Sequence, residues 1–286
     1  MLYKFRNMER QSILFYGNCQ LFAVLKTLNI SEKYNTILIE CWNSSIDKEY
    51  FTNTVKNSDI IITQPISDNY RDCDYLSTNY IIQNKKPECI VIIFDSLYFN
   101  FYYFDLTYKQ FNNKLLDNPI AYHYNSMINC YLNKNPPEFY IDNYVNNVDL
   151  KTAEELNKIA ENSLSQLDSR YIEYSNKYKD ENIYTISSSD YIRLNYKNKL
   201  LFYSMNHPSK YLIQYISEQI INILKIKNTI NYDVDILWNP KCILYKCISK
   251  CVNFKVDDHL PLTKNLTDPL KITELYYSSY ESIDYK

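Results

Sequence analysis

Five short apolar runs punctuate the first two thirds of the chain, and between them the apolar positions repeat at helical spacing. "SILFY" (12–16), "NTILIECW" (35–42), "DIIITQP" (59–65, closed by Pro65), "ECIVIIF" (88–94) and "ENIYTIS" (181–187) read as strands. Runs of about five apolar residues without polar alternation are the pattern of strands buried on both faces of a parallel sheet. "QLFAVLKTL" follows the first run as a helix. "DKEYFTNTVKN" follows the second, with Asp47 in its first turn. Strand and helix alternate, which predicts a three-layer α/β fold with a parallel sheet between helices.

Between the fourth and fifth strands lies a long helical insert, about residues 105–180. "PIAYHYNSMINCYL" and "LKTAEELNKIAENSLSQLDSRYIEYSNKY" supply its helices, joined by the polar loop "NKNPPEFYIDN". "PSKYLIQYISEQIINILKI" (208–226) reads as an amphipathic helix with Pro208 in its first turn. The tail, about 228–286, has no regular pattern. Neither an internal repeat nor a low-complexity linker is visible, and residues 1–286 are expected to form a single domain.

Composition changes this picture little. The 286 residues are 46% hydrophobic and 22% charged, as in ordinary globular proteins. The formal net charge of -2 gives no field that would draw nucleic acid or an anionic membrane. The stretch "MLYKFRNMERQ" shows neither an apolar h-region nor a cleavage site, so no leader is expected. The most apolar run, "ECIVIIFDSLYFNFYYF", is broken by Asp95 and Asn100, so no spanning helix is expected and the protein is expected to be cytoplasmic. In a reducing compartment the eight cysteines should be thiols, mostly buried. Cys242, Cys247 and Cys251 with His259 match no common zinc spacing; they read as a helix face, and no metal is expected. The three glycosylation sequons carry no meaning without secretion. The 31 tyrosines and the lone glycine read as the drift of an AT-rich coding sequence rather than as a binding surface.

That lone glycine is Gly17, directly after the first strand and before Asn18, Cys19 and Gln20. In open α/β sheets ligands bind at the carboxyl ends of strands. Glycine there serves a positive φ or a close backbone approach. The following residues open a helix, where N–H groups and the dipole favour negative charge. Cys19 is therefore expected to have a depressed pKa and a reactive thiolate. Among the histidines, His207 in "LLFYSMNHPSKYL" sits at a second strand-to-helix junction, whereas His123 reads as a packed or hydrogen-bonded histidine in an aromatic helix and His259 lies in the tail. Gln64, at the end of the third strand, could offer amide donors to an oxyanion.

Taken in order, "ILFYGNCQ", "DIIITQPISDNYR", "SLSQLDSRYIEYS" and "LLFYSMNHPS" resemble the WcbI-type polysaccharide biosynthesis acetyltransferases, from about Ile13 to Leu224. The resemblance implies a variant of the SGNH-hydrolase (flavodoxin-like) fold, association with coenzyme A, and acetylation of surface sugars. It places Cys19 where SGNH enzymes have their serine and His207 where they have their catalytic histidine. The acid three residues before that histidine is Ser204 here, so another group, such as a backbone carbonyl, is expected to orient it.

The leading expectation is an enzyme: an acyltransferase using acetyl-CoA and acting on a sugar or nucleotide-sugar. Cys19 and His207 are its catalytic pair. Gly17, Asn18, Gln20, Gln64 and Asn206 form the oxyanion and substrate region. Arg71, Arg170 and Lys210 are candidates for the coenzyme A phosphates. A glycan esterase or deacetylase, or a non-catalytic scaffold for glycan assembly, are the rival classes. The acceptor, O- versus N-acylation and the oligomeric state, a homo-oligomer included, stay open.

Overall fold

The computed structural model describes residues 10–43, 45–227, 230–239, 241–259 and 267–285. The N-terminal expectation falls on residues 1–9 and part of the tail on 260–266, outside the described residues. The strands are β1 (Ser12–Gly17), β2 (Asn35–Glu40), β3 (Ile60–Thr63), β4 (Ile90–Phe94), β5 (Leu106–Tyr108), β6 (Gln110–Phe111), β7 (Lys114–Leu115), β8 (Tyr122–Tyr124) and β9 (Ile183–Ile186). The α-helices are α1 (Cys19–Leu28), α2 (Lys48–Asn57), α3 (Thr78–Asn84), α4 (Asn125–Leu132), α5 (Pro137–Tyr140), α6 (Ala153–Lys177), α7 (Ser189–Asn195), α8 (Lys210–Leu224) and α9 (Pro269–Ser282). None of the described helices is long and apolar enough to cross a membrane.

The chain divides into two compact units. The first comprises the described residues up to Ser96 with Asp168–Ser188 and Lys210–Asp235. Its core is a parallel sheet in the order β2-β1-β3-β4-β9. The five strands are those the apolar runs predict, and their order is that of the flavodoxin-like doubly wound fold. Successive side chains leave opposite faces. Leu14 and Tyr16 of β1, Ile61 of β3 and Val91 and Ile93 of β4 meet Phe51 and Val55 of α2, Ile81 of α3, and Tyr174 and Tyr178. Helices α1 and α8 pack together on the other side. Ile13, Leu14, Phe15 and Tyr16 are all fully buried, which is why β1 has no polar alternation.

The chain takes the left-handed backbone region without glycine. Asn29 ends α1 at φ 49°, and Asn112 and Asn113 turn the β6–β7 hairpin at φ 51° and 61°. Asparagine tolerates this region better than other residues with a Cβ.

The second unit comprises Leu97–Leu167, Ser189–Ser209 and the residues from Ile236 onward. Its core is aromatic. Phe99 packs on Phe101, Tyr102, Tyr196 and Phe202 with ring centroids 5.5–5.8 Å apart. Asp105 accepts hydrogen bonds from the Ser126 N–H and hydroxyl and from the Tyr245 hydroxyl, tying α4 to the segment before β5.

Several local expectations change. His123 lies in strand β8, not in a helix; its ring hydrogen-bonds the Tyr280 hydroxyl at 2.9 Å and the Leu116 carbonyl at 3.0 Å. Pro208 is not in the first turn of α8. It bridges Phe202 while backbone bonds from Ser209 to Leu201 and from Tyr203 to His207 close a hairpin-like arm, so the helix starts at Lys210. Cys242, Cys247 and Cys251 do not share one α-helical face: only Cys247 lies in a helical turn, a short 3-10 segment. The tail contains α9, and α3 and α7 were not legible in the pattern.

At the start of β1, Asp59 accepts from the Ser12 N–H at 2.7 Å, the Ser12 hydroxyl at 3.0 Å and Lys86 Nζ at 2.5 Å. Partial burial pushes its pKa up, but Lys86 and Ser12 outweigh it and hold the carboxyl below its ordinary value. A depressed folded-state pKa contributes stability above the unfolded value, about 3.9, and loses it as pH falls through the folded value. Asp59→Asn is expected to cost on the order of 1 kcal/mol at pH 7. Urea melts should show that difference shrinking below about pH 4.

Candidate functional site

Strand β1 ends at Gly17, α1 begins at Cys19, and Asn18 between them is the N-cap. Asn18 Oδ1 accepts the Gln20 N–H at 2.9 Å, satisfying one of the open donors of the first helical turn. The Asn18 backbone N–H donates to Gln64 Oε1 at 3.0 Å. Gln64 is buried directly after β3, and its Nε2 donates to Gln20 Oε1 at 2.7 Å and to the Asp95 carbonyl at 3.4 Å. Thr63 donates to the Tyr16 carbonyl, and Thr78 donates to the Gln64 carbonyl. One carboxamide thus joins the carboxyl ends of β1, β3 and β4 to the start of α1.

Gly17 leaves room for that carboxamide. Its φ is not positive. A Cβ there would lie 2.7 Å from Gln64 Oε1 and 2.7 Å from a methyl carbon of Leu21. Of the two reasons for a glycine, close approach is the one that applies.

Two donors of the turn remain open. The Cys19 N–H and Asn18 Nδ2 donate to no other residue among the described residues. Both belong to the N-terminus of a ten-residue helix, where the dipole favours negative charge. The Cys19 thiol itself is not a thiolate. Burial first, and the Glu40 carboxylate next, bring its pKa up to about 11, and the N–H groups of Cys19 and Gln20 lower it too little to compensate. The expected depression is corrected: desolvation outweighs the helix terminus.

In the second unit, His207 stands on the returning strand of the Leu201–Ser209 arm. The Tyr122 ring meets it edge-on at 5.5 Å. Its Nδ1 is buried and has no hydrogen-bond partner, so no backbone carbonyl orients it as expected. Burial lowers its pKa to about 4, which keeps the imidazole neutral at physiological pH. The Asn206 carboxamide is held by the hydroxyls of Tyr122 at 2.7 Å and Tyr108 at 3.0 Å.

The family model described as polysaccharide biosynthesis enzyme WcbI matches residues 12–229. The chain belongs to the WcbI family. A solved structure described as WcbI, a novel polysaccharide biosynthesis enzyme, is similar with a TM-score of 0.79 at 19% identity, covering 96% of this chain and 91% of that one. It is described as the native protein without a disulfide bond between coenzyme A and one of its cysteines. A diflavin flavoprotein from Nostoc sp. aligns over 30% of this chain and 59% of its own, at 10% identity and a TM-score of 0.25. No curated protein matches.

Within this WcbI-family chain, Gly17, Asn18, Cys19, Gln20 and Gln64 come together in one turn. Two of them change role. Gln64 is no free oxyanion donor, because both its amide hydrogens have acceptors, and Gln20 is fully buried beneath the turn. The basic candidates are dispersed over the first unit. Arg71 follows β3 at φ 55° and donates to the Trp42 carbonyl. Lys210 opens α8 with its ammonium 5.9 Å from the Tyr211 ring. Arg170 lines a cavity of about 380 Å³ together with Asp95, Glu173, Tyr174 and Lys177. His207 and Asn206 belong to the second unit.

Asp95 is the residue that pattern reading missed. The signal was present, an acid directly after β4 at the carboxyl edge, but it served only to break an apolar run. The carboxylate accepts from the Tyr174 hydroxyl at 2.9 Å and from the Ser188 N–H and hydroxyl at 2.8 and 2.6 Å. Burial raises its pKa against those hydrogen bonds. Glu40, the last residue of β2, and Cys41 directly after it were missed as well; the Cys41 N–H donates to the Gly17 carbonyl at 2.8 Å.

Gly17→Ala is expected to destabilise the chain by about 1–3 kcal/mol through overpacking, read as a lowered melting temperature. Site-resolved alkylation of Cys19, followed by mass spectrometry, should be slow at pH 7. Its rate should climb toward a midpoint of about 11, not about 8.5 as for a free thiol.

Proposed function

We propose that this chain is a cytoplasmic acyltransferase that moves an acyl group, acetyl in the first instance, from coenzyme A to a hydroxyl or amine of a sugar or nucleotide-sugar. The observation that carries this reading is the pair of open donors, Cys19 N–H and Asn18 Nδ2, at the N-terminus of α1. Open donors held in place by the surrounding structure can stabilise an oxygen that gains negative charge, as a carbonyl does when a nucleophile adds to it. Membership in the WcbI family supports the reading, as does a similar structure whose description names coenzyme A beside a cysteine.

Acetyl-CoA would supply the activated acyl group, its thioester C–S bond breaking as the new C–O or C–N bond forms and coenzyme A leaving as the thiol. The residues of this chain do the rest. Gln64 and Gly17 hold the turn so that the donors keep their direction. Cys19 contributes its N–H and lines the site as a neutral thiol, since a thiol held near 11 and a histidine held near 4 are poorly matched for forming a thiolate. Neutral His207 accepts the proton of the acceptor hydroxyl or amine, and its buried, unpartnered Nδ1 is consistent with a group kept uncharged. Arg71, Arg170 and Lys210 are exposed or partly exposed cations for phosphate groups.

Mass spectrometry of a nucleotide-sugar panel incubated with the protein and acetyl-CoA tests the reading. An acetylated product is expected, and unaltered sugars would favour the scaffold. His207→Ala should lower turnover at least about 10²-fold. Because the base must be unprotonated, wild-type activity should hold on acidification until about pH 4 and fall below it. Calorimetry should show coenzyme A binding that weakens with salt and is stronger than that of dephospho-coenzyme A. Hydrolysis of acetylated glycans without coenzyme A affinity would replace the transferase with the esterase.

A further inference from the structure

The second unit holds a cavity of about 660 Å³ lined by Tyr131 at the end of α4, Lys134 and Pro136 in the loop to α5, Tyr277 and Glu281 of α9, and Tyr285. That volume is within the roughly 300–1,000 Å³ of small-molecule sites. Its aromatic walls are fixed by neighbours. Tyr131 packs on Tyr277 and Tyr280 at 5.4 and 5.2 Å, and Tyr285 packs on Tyr280 and Phe111 at 5.5 and 5.8 Å. Lys134 is pinned in the left-handed region at φ 58° by its N–H bond to the Tyr131 carbonyl. Neither Lys134 nor Glu281 enters a salt bridge among the described residues.

We propose that this cavity is a carbohydrate-binding site for a short, uncharged oligosaccharide segment, separate in its residues from the acyl-transfer machinery. Pyranose rings present C–H faces that pack on tyrosine rings and hydroxyls that both donate and accept. The lining asks for that combination. The Glu281 carboxylate only accepts and the Lys134 ammonium only donates. One acid and one base offer no net charge to select an ionic ligand. A proline-rich segment would also seek aromatic walls, but proline has no N–H, and such a segment would bring few donors to Glu281. Membership in a polysaccharide biosynthesis family gives such a site an occupant, and the inference does not require that acyl transfer be the reaction.

Saturation-transfer NMR on the full chain, with maltotriose and chitotriose as probes, tests the site. At least one trisaccharide is expected to receive magnetisation at its ring C–H protons. Tyr285→Ala should weaken that binding roughly three- to tenfold, the scale of one aromatic face. Glu281→Gln keeps every ring in place and should weaken it as well, which separates loss of a contact from loss of structure. Coenzyme A binding should be the same in both variants. Transfer to neither trisaccharide overturns the proposal. So does binding that both variants retain in full, or displacement of the sugar by a proline-rich peptide that binds more tightly. A failure to bind coenzyme A in the wild type would bear on the acyl-transfer reading alone.

Discussion

The carboxamide of Gln64 is the constraint on which the carboxyl edge of the first unit depends. It occupies the volume a side chain on residue 17 would need, accepts the N–H of Asn18 and donates to Gln20 and the Asp95 carbonyl. Every one of these groups is at the end of a strand or the start of a helix, where backbone donors and acceptors would otherwise lack partners in a buried setting. An unpaired buried group costs about 1–3 kcal/mol, so the bridge and the glycine beneath it form one unit of structure. With the Asn18 N–H and the Gln20 N–H both engaged, the Cys19 N–H and Asn18 Nδ2 donate to no other residue among the described residues.

The electrostatics of the candidate residues in each unit follow from burial more than from helix geometry. The helix terminus does favour a thiolate at Cys19, but desolvation and Glu40 oppose it and win. His207 is driven the other way by the same cause and stays neutral. Asp95 is buried too, yet it has three hydrogen bonds where His207 Nδ1 has none. The two buried groups therefore differ in kind. Asp95 is locked by Tyr174 and Ser188, whereas the imidazole Nδ1 is buried without a partner.

Glycine depletion, legible at once in the composition, has a structural consequence. The chain bends through the left-handed region at Asn29, Asn69, Asn112 and Asn113, among others, and none of these turns needed a glycine. A side chain can adopt that backbone at moderate cost. A Cβ on residue 17 would meet the Gln64 carboxamide and Leu21 at 2.7 Å, and Gln64 can shift only by giving up its hydrogen bonds. Gly17 is thus the position where substitution meets a hard contact rather than a conformational preference.

The sequence by itself determined the sheet. Five apolar runs mark the five parallel strands within a residue or two; β1, β3 and β4 are buried at nearly every position, as strands covered on both faces must be, while the edge strands β2 and β9 are partly exposed. It also pointed to Gly17, Asn18 and Cys19, since the end of β1 and the start of a helix are both local features. What it could not carry was anything set by partners distant in the chain. The role of Gln64 depends on residues 44 and 46 positions away, and Asp95 is held by residues 79 and 93 positions away. The thiol of Cys19 rises rather than falls because of burial and Glu40, which only the packed structure brings together. The helical placement of His123 and Pro208 fails for a related reason, while His123 is packed and hydrogen-bonded as expected: strand β8 needs β5 as a partner, and the arm that carries His207 is closed by backbone bonds that no periodicity records. Local pattern decides which segments are strands and helices, and tertiary contact decides which polar atoms remain free for chemistry.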